Sequence, residues 1–333
     1  MKKILALTLA LLLMLSAACA LAESAQSDAG QLLSAEATDN TVTITKEYTV
    51  NGTNAVNPAD TLKFTVSDGV VTEATAGTEA PAISVADVQV TQGATSAEVV
   101  VALPAYEKVG VYTYTITEQD THTAGVTYFS HPITLVVTVM GQTDASGNYS
   151  LKALPAIHCE TAAGEAKTDR FTNTYDAGSL AVKKTVAGNL GDRTKVFNFT
   201  VTFTAPQGDT VGAPITWSDD GASHSIAPAD WNQGTATASF TLIHDETVTF
   251  DNIPAGTTYT VVEAEADQDD YTTTKTGDTG TIASATTAQA DFTNTRERSI
   301  ETGVTLDTLP YTLLLAISAI GAALLLRRRR DEA

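Results

Sequence analysis

Apolar and polar residues alternate with a period of two along most of this chain. The first clear stretch is Thr41-Val42-Thr43-Ile44-Thr45-Lys46. Side chains two apart on a strand share a face, so the pattern predicts half-buried β-strands. Similar segments lie at Thr61–Val66, Ser96–Leu103, Val111–Glu118 and Ile133–Met140, and the series closes at Arg170-Phe171-Thr172-Asn173-Thr174. Turn-rich pieces such as Asn51-Gly52, Ser67-Asp68-Gly69 and Asp144–Asn148 separate them. Asp176-Ala177-Gly178-Ser179 has the composition of a linker, and the pattern then restarts at Leu180-Ala181-Val182-Lys183-Lys184. It continues through Val196–Phe203, Ala236–Leu242, Thr247–Phe250 and Thr258–Glu263, and ends at Asp291-Phe292-Thr293-Asn294-Thr295. Many short strands with regular turns predict an all-β chain of two β-sandwich domains, at 41–176 and 180–296. Residues 23–40, rich in Ala, Ser, Gln and Asp without periodicity, read as a flexible leader.

The two ends follow a different pattern. Lys2 and Lys3 precede the apolar run Ile4–Leu15, which closes on Ala20-Leu21-Ala22. That order predicts a signal peptide over 1–22, with an apolar run too short to span a bilayer comfortably. Cys19 suggests a lipoprotein, but Leu15 stands one position too far upstream for a good lipobox. At the other end, Leu309–Leu326 is apolar and Arg327, Arg328, Arg329 and Arg330 follow at once. This predicts a transmembrane helix over 309–326 and a basic cytoplasmic tail over 327–333. The body is expected to be exported and held at the surface by its C-terminus.

Composition agrees with a surface protein. Threonine, a β-branched strand former, accounts for 56 residues, against 9 Phe, 10 Tyr and 2 Trp. Residues 23–302 carry 36 acidic and 13 basic side chains, which works against nucleic-acid binding. Beyond the signal peptide Cys159 is the sole cysteine, so an internal disulfide is excluded. His122, His131, His158, His224 and His244 show no metal-ligand spacing. The acidic loops Asp267–Asp270 and Ser218–Gly221 lack calcium-loop order, and no Gly-rich phosphate loop precedes a helix. Neither a metal nor a cofactor is expected.

The two halves share a skeleton. Each opens with an apolar-x-apolar-x-Lys strand, Val42, Ile44, Lys46 and Leu180, Val182, Lys184. Each contains Tyr-x-(Ile/Val)-x-Glu, at Tyr114, Ile116, Glu118 and Tyr259, Val261, Glu263, and each closes on Phe-Thr-Asn-Thr, at 171–174 and 292–295. Strand parity turns Lys46 and Lys184 inward with Ile44 and Val182, and Asn173 and Asn294 inward with Phe171 and Phe292. An unpaired Lys or Glu in a core costs several kcal/mol. Burial lowers an amine pKa and raises a carboxyl pKa, so a neutral Lys and a protonated Glu can coexist there. Beside an Asn carboxamide, with the acid polarising the carbonyl, they have the parts for nucleophilic attack and loss of ammonia. The expected product is a Lys–Asn isopeptide bond. Snorkelling lysines and solvated glutamates at strand ends are the simpler alternative.

The chain resembles the streptococcal T-antigen type of backbone pilin over residues 40–330. The resemblance rests on Leu180–Gly188, Gly191-Asp192-Arg193 with Phe197-Asn198-Phe199, Val109–Glu118, Asn252–Gly256 and the two Phe-Thr-Asn closers. It implies two tandem Ig-like sandwiches, each with one self-formed bond: Lys46 to Asn173 assisted by Glu118, and Lys184 to Asn294 assisted by Glu263. Lys183 has the wrong strand parity for that role. The resemblance also implies sortase cleavage between Thr302 and Gly303, within the degenerate motif Ser299-Ile300-Glu301-Thr302-Gly303, which lacks the Leu and Pro of the usual pentapeptide. Implied partners are a sortase, other pilin subunits in a covalent head-to-tail polymer, the peptidoglycan precursor, and a host or matrix ligand of unknown kind. Lys167 stands where the family carries its polymerisation lysine, with Lys152 and Lys108 in reserve. The expected location is the cell wall of a Gram-positive-type bacterium. The alternative reading is a non-polymerising adhesin or stalk; no catalytic set for an exported enzyme is present.

Overall fold

A computed structural model describes residues 40–161, 164–166, 168–219, 221–299 and 309–331. The opening strand, Thr41–Asn51, buries Val42, Ile44, Lys46 and Tyr48 on one face, as its alternation requires. It pairs antiparallel with Ser96–Ala102 and parallel with the first half of Arg170–Ala187. A second sheet runs in the order Gly164–Ala166, Tyr149–Thr161, Ile133–Thr143, Gly110–Glu118, Phe64–Val66. Val42, Ile44, Val99, Tyr112, Ile116, Leu135 and Phe171 close the core between the two.

The second unit repeats this plan. Its opening strand is the second half of Arg170–Ala187, parallel to the closing strand Thr287–Thr295 and antiparallel to Thr247–Pro254. The opposing sheet runs Thr235–Leu242, Phe197–Thr204, Thr258–Glu263, Thr279–Thr281. A separate core forms around Phe197, Phe199, Phe203, Phe240, Phe250 and Phe292. Phe199 and Phe292 meet edge to face with centroids 5.2 Å apart, the favoured aromatic geometry.

The segment whose composition reads as a linker is not one. Asp176–Ser179 lies inside the single strand Arg170–Ala187, and every residue from Ala177 to Val182 is buried. Its polar groups are met from both units, which is why turn-forming residues stay extended here. Asp176 accepts from Asn51 Nδ2 and Ser284 Oγ, and its carbonyl accepts from Ala255 N. Gly178 is required by close approach, since a Cβ there would stand 2.4 Å from the Ala283 carbonyl oxygen. Further hydrogen bonds stitch the units together, Val56 N to Asn252 Oδ1 and Thr210 N to His122 O, and Asn252 is itself held within the second unit by Nδ2 donating to Pro214 O.

Tyr149–Thr161 is a strand that the alternation does not announce, because Pro155 interrupts it. Pro155 pairs with Val137 on one side, while the neighbour on the other side, Gly164–Ala166, begins only at Cys159. The missing N–H therefore faces an open edge, where proline is tolerated. The hairpin Ile215–Asp219 with Ala222–Ile226 also escapes the pattern. At the C-terminal end, the helix Leu309–Asp331 takes in the four arginines that read as a tail. Its segment Pro310–Arg330, with mean hydropathy 1.6, is long and apolar enough to cross a membrane.

Candidate functional site: two buried clusters of Lys, Glu and Asn

The same register builds both clusters. Lys46 lies opposite Phe171 and Tyr48 opposite Asn173, while Lys184 lies opposite Phe292 and Val186 opposite Asn294. In each case the lysine sits two residues ahead of the position that faces the asparagine, on the same inward face. Glu118 and Glu263 arrive from the opposing sheets, as the last residues of Gly110–Glu118 and Thr258–Glu263. Lys46, Asn173, Lys184 and Asn294 are wholly buried, and both glutamates nearly so. Parity read from sequence thus brings all six side chains together in two threes.

In the first cluster Lys46 Nζ stands 3.0 Å from Glu118 Oε1 and 3.1 Å from Oε2. Asn173 Nδ2 donates to Glu118 Oε1 at 3.0 Å. Glu118 therefore touches both the amine and the amide nitrogen of Asn173, whereas the sequence reading aims it at the carbonyl oxygen. That oxygen, Asn173 Oδ1, instead accepts from the backbone N–H of Phe129 at 2.7 Å, and the same N–H lies 3.0 Å from Glu118 Oε2. The Phe171 ring lies 4.3 Å from Lys46 Nζ and helps to exclude water. Burial draws the Lys46 amine down from the usual lysine range to about 8, against the attraction of Glu118 and Asp60. Burial also raises Glu118, opposed by Lys46 and by hydrogen bonds from Asn173 and Phe129.

In the second cluster Lys184 Nζ stands 2.8 Å from Glu263 Oε2, and Asn294 Nδ2 donates to Glu263 Oε1 at 2.5 Å. The Phe197 ring covers Lys184 Nζ at 4.0 Å, and burial lowers the Lys184 pKa in spite of Glu263. Asn294 Oδ1 is buried without a hydrogen-bond partner. A nucleophilic amine, an amide carbon and a shared acid are thus held together twice in dry surroundings.

Sequence reasoning missed what lies behind the first cluster. Asp60, nearly buried, accepts Tyr128 Oη on Oδ2 at 2.7 Å, and Thr121 and Thr123 Oγ1 on Oδ1 at 2.9 and 3.1 Å. Thr61 N donates to the same Oδ1 at 2.7 Å. Asp60 carries a charge at a strand start, a placement that looks solvated in one dimension. The Phe129 amide has no signature in sequence, because every residue but proline carries that group.

Lys183 is half exposed, 3.9 Å from Asp245, in keeping with its outward parity. Lys108 and Lys152 are exposed. Lys167, Thr302, Gly303 and the signal peptide lie outside the described residues. The acidic loop around Asp267–Asp270 has counter-charges of its own, Asp269 on Lys195 at 2.5 Å and Asp270 on Arg296 at 3.2 Å. Among the described residues, no three His, Cys, Asp or Glu side chains are grouped to hold a metal. Cys159 is buried and its thiol is pushed up to about 11, mainly by desolvation.

Residues 42–176 match the family described as the Spy0128-like isopeptide containing domain. Residues 178–296 match a domain family of unknown function, DUF7601. A pilin of Streptococcus pyogenes serotype M1 is 26% identical over 242 residues, covering 68% of this chain and 69% of that relative. Among solved structures, the major pilin of Streptococcus pyogenes superposes with a TM-score of 0.54 at 24% identity, covering 78% of this chain and 99% of its own. The T3.2 major pilin of the same species gives 0.50 at 19% identity, with 78% and 98% covered.

Proposed function

A member of the streptococcal backbone-pilin family, this chain is, we propose, a surface-anchored pilus subunit whose two sandwiches are each closed by a self-formed Lys–Asn isopeptide bond. The observation that carries the reading is the recurrence of one buried Lys–Glu–Asn arrangement at one strand register in two domains. A buried ion pair alone is a weak source of stability, because desolvation offsets most of its attraction. Its repetition beside a carboxamide makes sense as chemistry. A proton passing from the Lys46 ammonium to Glu118 leaves a neutral amine and a protonated acid. Lys46 Nζ then attacks Asn173 Cγ, and the Cγ–Nδ2 bond breaks. Glu118 gives its proton to Nδ2 and takes one from Nζ, so that ammonia leaves and the carboxyl group is regenerated. Lys184, Glu263 and Asn294 act in the same way.

The pilus role adds an intermolecular step. A sortase thiol attacks the Thr302 carbonyl, releases Gly303 with the C-terminal helix, and passes the acyl group to an amine. For chain growth that amine belongs to Lys167 of the next subunit, and at the base of the fibre it belongs to the peptidoglycan precursor. The role is structural, and the chain's own chemistry is confined to itself.

Intact mass of recombinant residues 23–302 tests the internal bonds. Two bonds predict a deficit of about 34 Da, roughly 17 Da for each ammonia lost. A full-length mass from folded protein would remove the reading. Cell-wall extracts test the pilus role: a ladder of covalent oligomers that disappears in Lys167→Arg supports a backbone subunit. Discrete monomers would mark a non-polymerising adhesin or stalk.

A further inference from the structure

The first cluster contains a donor that the isopeptide reading does not require and that the second cluster lacks. The strand Val126–Thr127 pairs antiparallel with Thr174 and Tyr175, next to Asn173, and the ladder stops after Thr127. Phe129, two residues on, is thereby free of backbone partners in the sheet and turns its N–H onto Asn173 Oδ1. Two anchors fix the segment. The Phe129 ring packs on Phe171, with centroids 5.5 Å apart, and the preceding residue is tied down through Tyr128 Oη on Asp60. Thr121 Oγ1 lies 2.6 Å from the same Tyr128 hydroxyl and also donates to Asp60. Asp60 is thus satisfied by four donors and serves as a fixed post.

We propose that the Phe129 backbone amide is the oxyanion donor for formation of the Lys46–Asn173 bond, and that the Tyr128–Asp60 hydrogen bond positions it. The inference rests on the isopeptide reading. When Nζ adds to Cγ, the carbonyl π-pair moves onto Oδ1, and the negative charge develops on the atom that already accepts from Phe129 N. Glu118 is engaged with the two nitrogens and so handles protons, while the Phe129 amide, whose N–H lies nearer Asn173 Oδ1 at 2.7 Å than Glu118 Oε2 at 3.0 Å, handles the charge on oxygen. A preorganised donor at the oxygen that becomes charged contributes on the order of 10²- to 10³-fold in rate in other acyl transfers.

The test uses the full chain, made by cell-free translation in detergent and quenched with acid at intervals, with both cross-linked peptides quantified after digestion. Placing phenyllactic acid at position 129 by nonsense suppression exchanges the N–H for an ester oxygen and keeps the ring. The expected result is a Lys46–Asn173 peptide that accumulates on the order of 10²- to 10³-fold more slowly, beside an unchanged Lys184–Asn294 peptide. An unchanged rate at the first site overturns the proposal. Tyr128→Phe, which removes only the hydroxyl, tests the positioning residue. It is expected to lower the plateau of the pH–rate profile at the first site and leave its pH midpoints in place. A simple loosening of the fold would admit water and move those midpoints back toward ordinary Lys and Glu values. A wild-type plateau in Tyr128→Phe, or shifted midpoints, overturns the positioning role. Absence of both cross-links from the wild-type chain would instead remove the reading on which this rests.

Discussion

The two clusters share their register, their burial and their three side chains, yet they differ at one oxygen. Asn173 Oδ1 accepts from Phe129 N, while Asn294 Oδ1 has no partner. The cause is local. Thr127 faces Thr174 as Thr272 faces Thr295, so Thr274 is the counterpart of Phe129. In the second domain the ladder runs on from Thr272 to Thr276, and Thr274 stays in the sheet opposite Thr293. In the first it breaks off after Thr127, and an N–H becomes available to a side chain. The lesson is that a frayed strand can supply a catalytic donor that a well-formed strand withholds.

The comparison can be broken most sharply at the acids. Glu118→Gln and Glu263→Gln are each expected to abolish the bond of their own domain and spare the other, reducing the mass deficit from about 34 to about 17 Da. A full deficit in either variant would mean that the acid is dispensable. Removing the nucleophiles comes next: Lys46→Met and Lys184→Met each forfeit a long-loop cross-link, about 4–5 kcal/mol by chain-entropy reckoning. Calorimetry should register the loss in the domain that carries the substitution.

A smaller effect separates the sites in time. With its extra donor the Lys46–Asn173 bond should close on the order of 10²-fold ahead of Lys184–Asn294, as timed digests would record; equal rates would erase the distinction. The pH profile then sharpens the first site. The reactive pair holds one proton in total, between Lys46 and Glu118. Above about pH 8, where the Lys46 amine loses its proton, none remains to convert Nδ2 into ammonia, so the rate should fall on that side. Acidification adds a second proton, restores the ammonium beside a neutral acid, and should lower the rate again. Smallest is the joint between domains. Asn252 sits at φ +60° and bridges Val56 N to the Pro214 carbonyl, so Asn252→Ala should lower the melting free energy by about 1–2 kcal/mol.

Much of this was legible in one dimension because strands have a period of two. Parity alone turned Lys46, Lys184, Asn173 and Asn294 inward and set Lys183 outward, and the structure agrees at each position. The repeat Tyr-x-(Ile/Val)-x-Glu likewise put the two acids on the buried face of a strand. What escaped depends on neighbours. Gly178 and Ser179 read as a linker because their composition is that of a turn, and it is pairing of Gly178 with Ile253, with contacts from Thr286 and Asp251 to Ser179, that keeps them in a strand. Pro155 hid a strand whose open edge cannot be inferred from its own residues. The aim of Glu118 at an amide nitrogen, and the Phe129 donor, are matters of three-dimensional placement without a side-chain signature.

One consequence of the unbroken strand Arg170–Ala187 concerns tension. Asn173 and Lys184 lie on that same strand, so in a fibre joined through Lys167 and Thr302, with both bonds closed, a pull enters at Lys167, follows the backbone through Asn173 to Lys184 and leaves through Asn294. Residues 185–293 stand outside that line and carry none of the load. The ten residues between the two bonds are already at strand length, about 3.3 Å each, close to the limit of a taut polypeptide. The subunit then has no slack to release, and a fibre of such subunits behaves as a cable of fixed length.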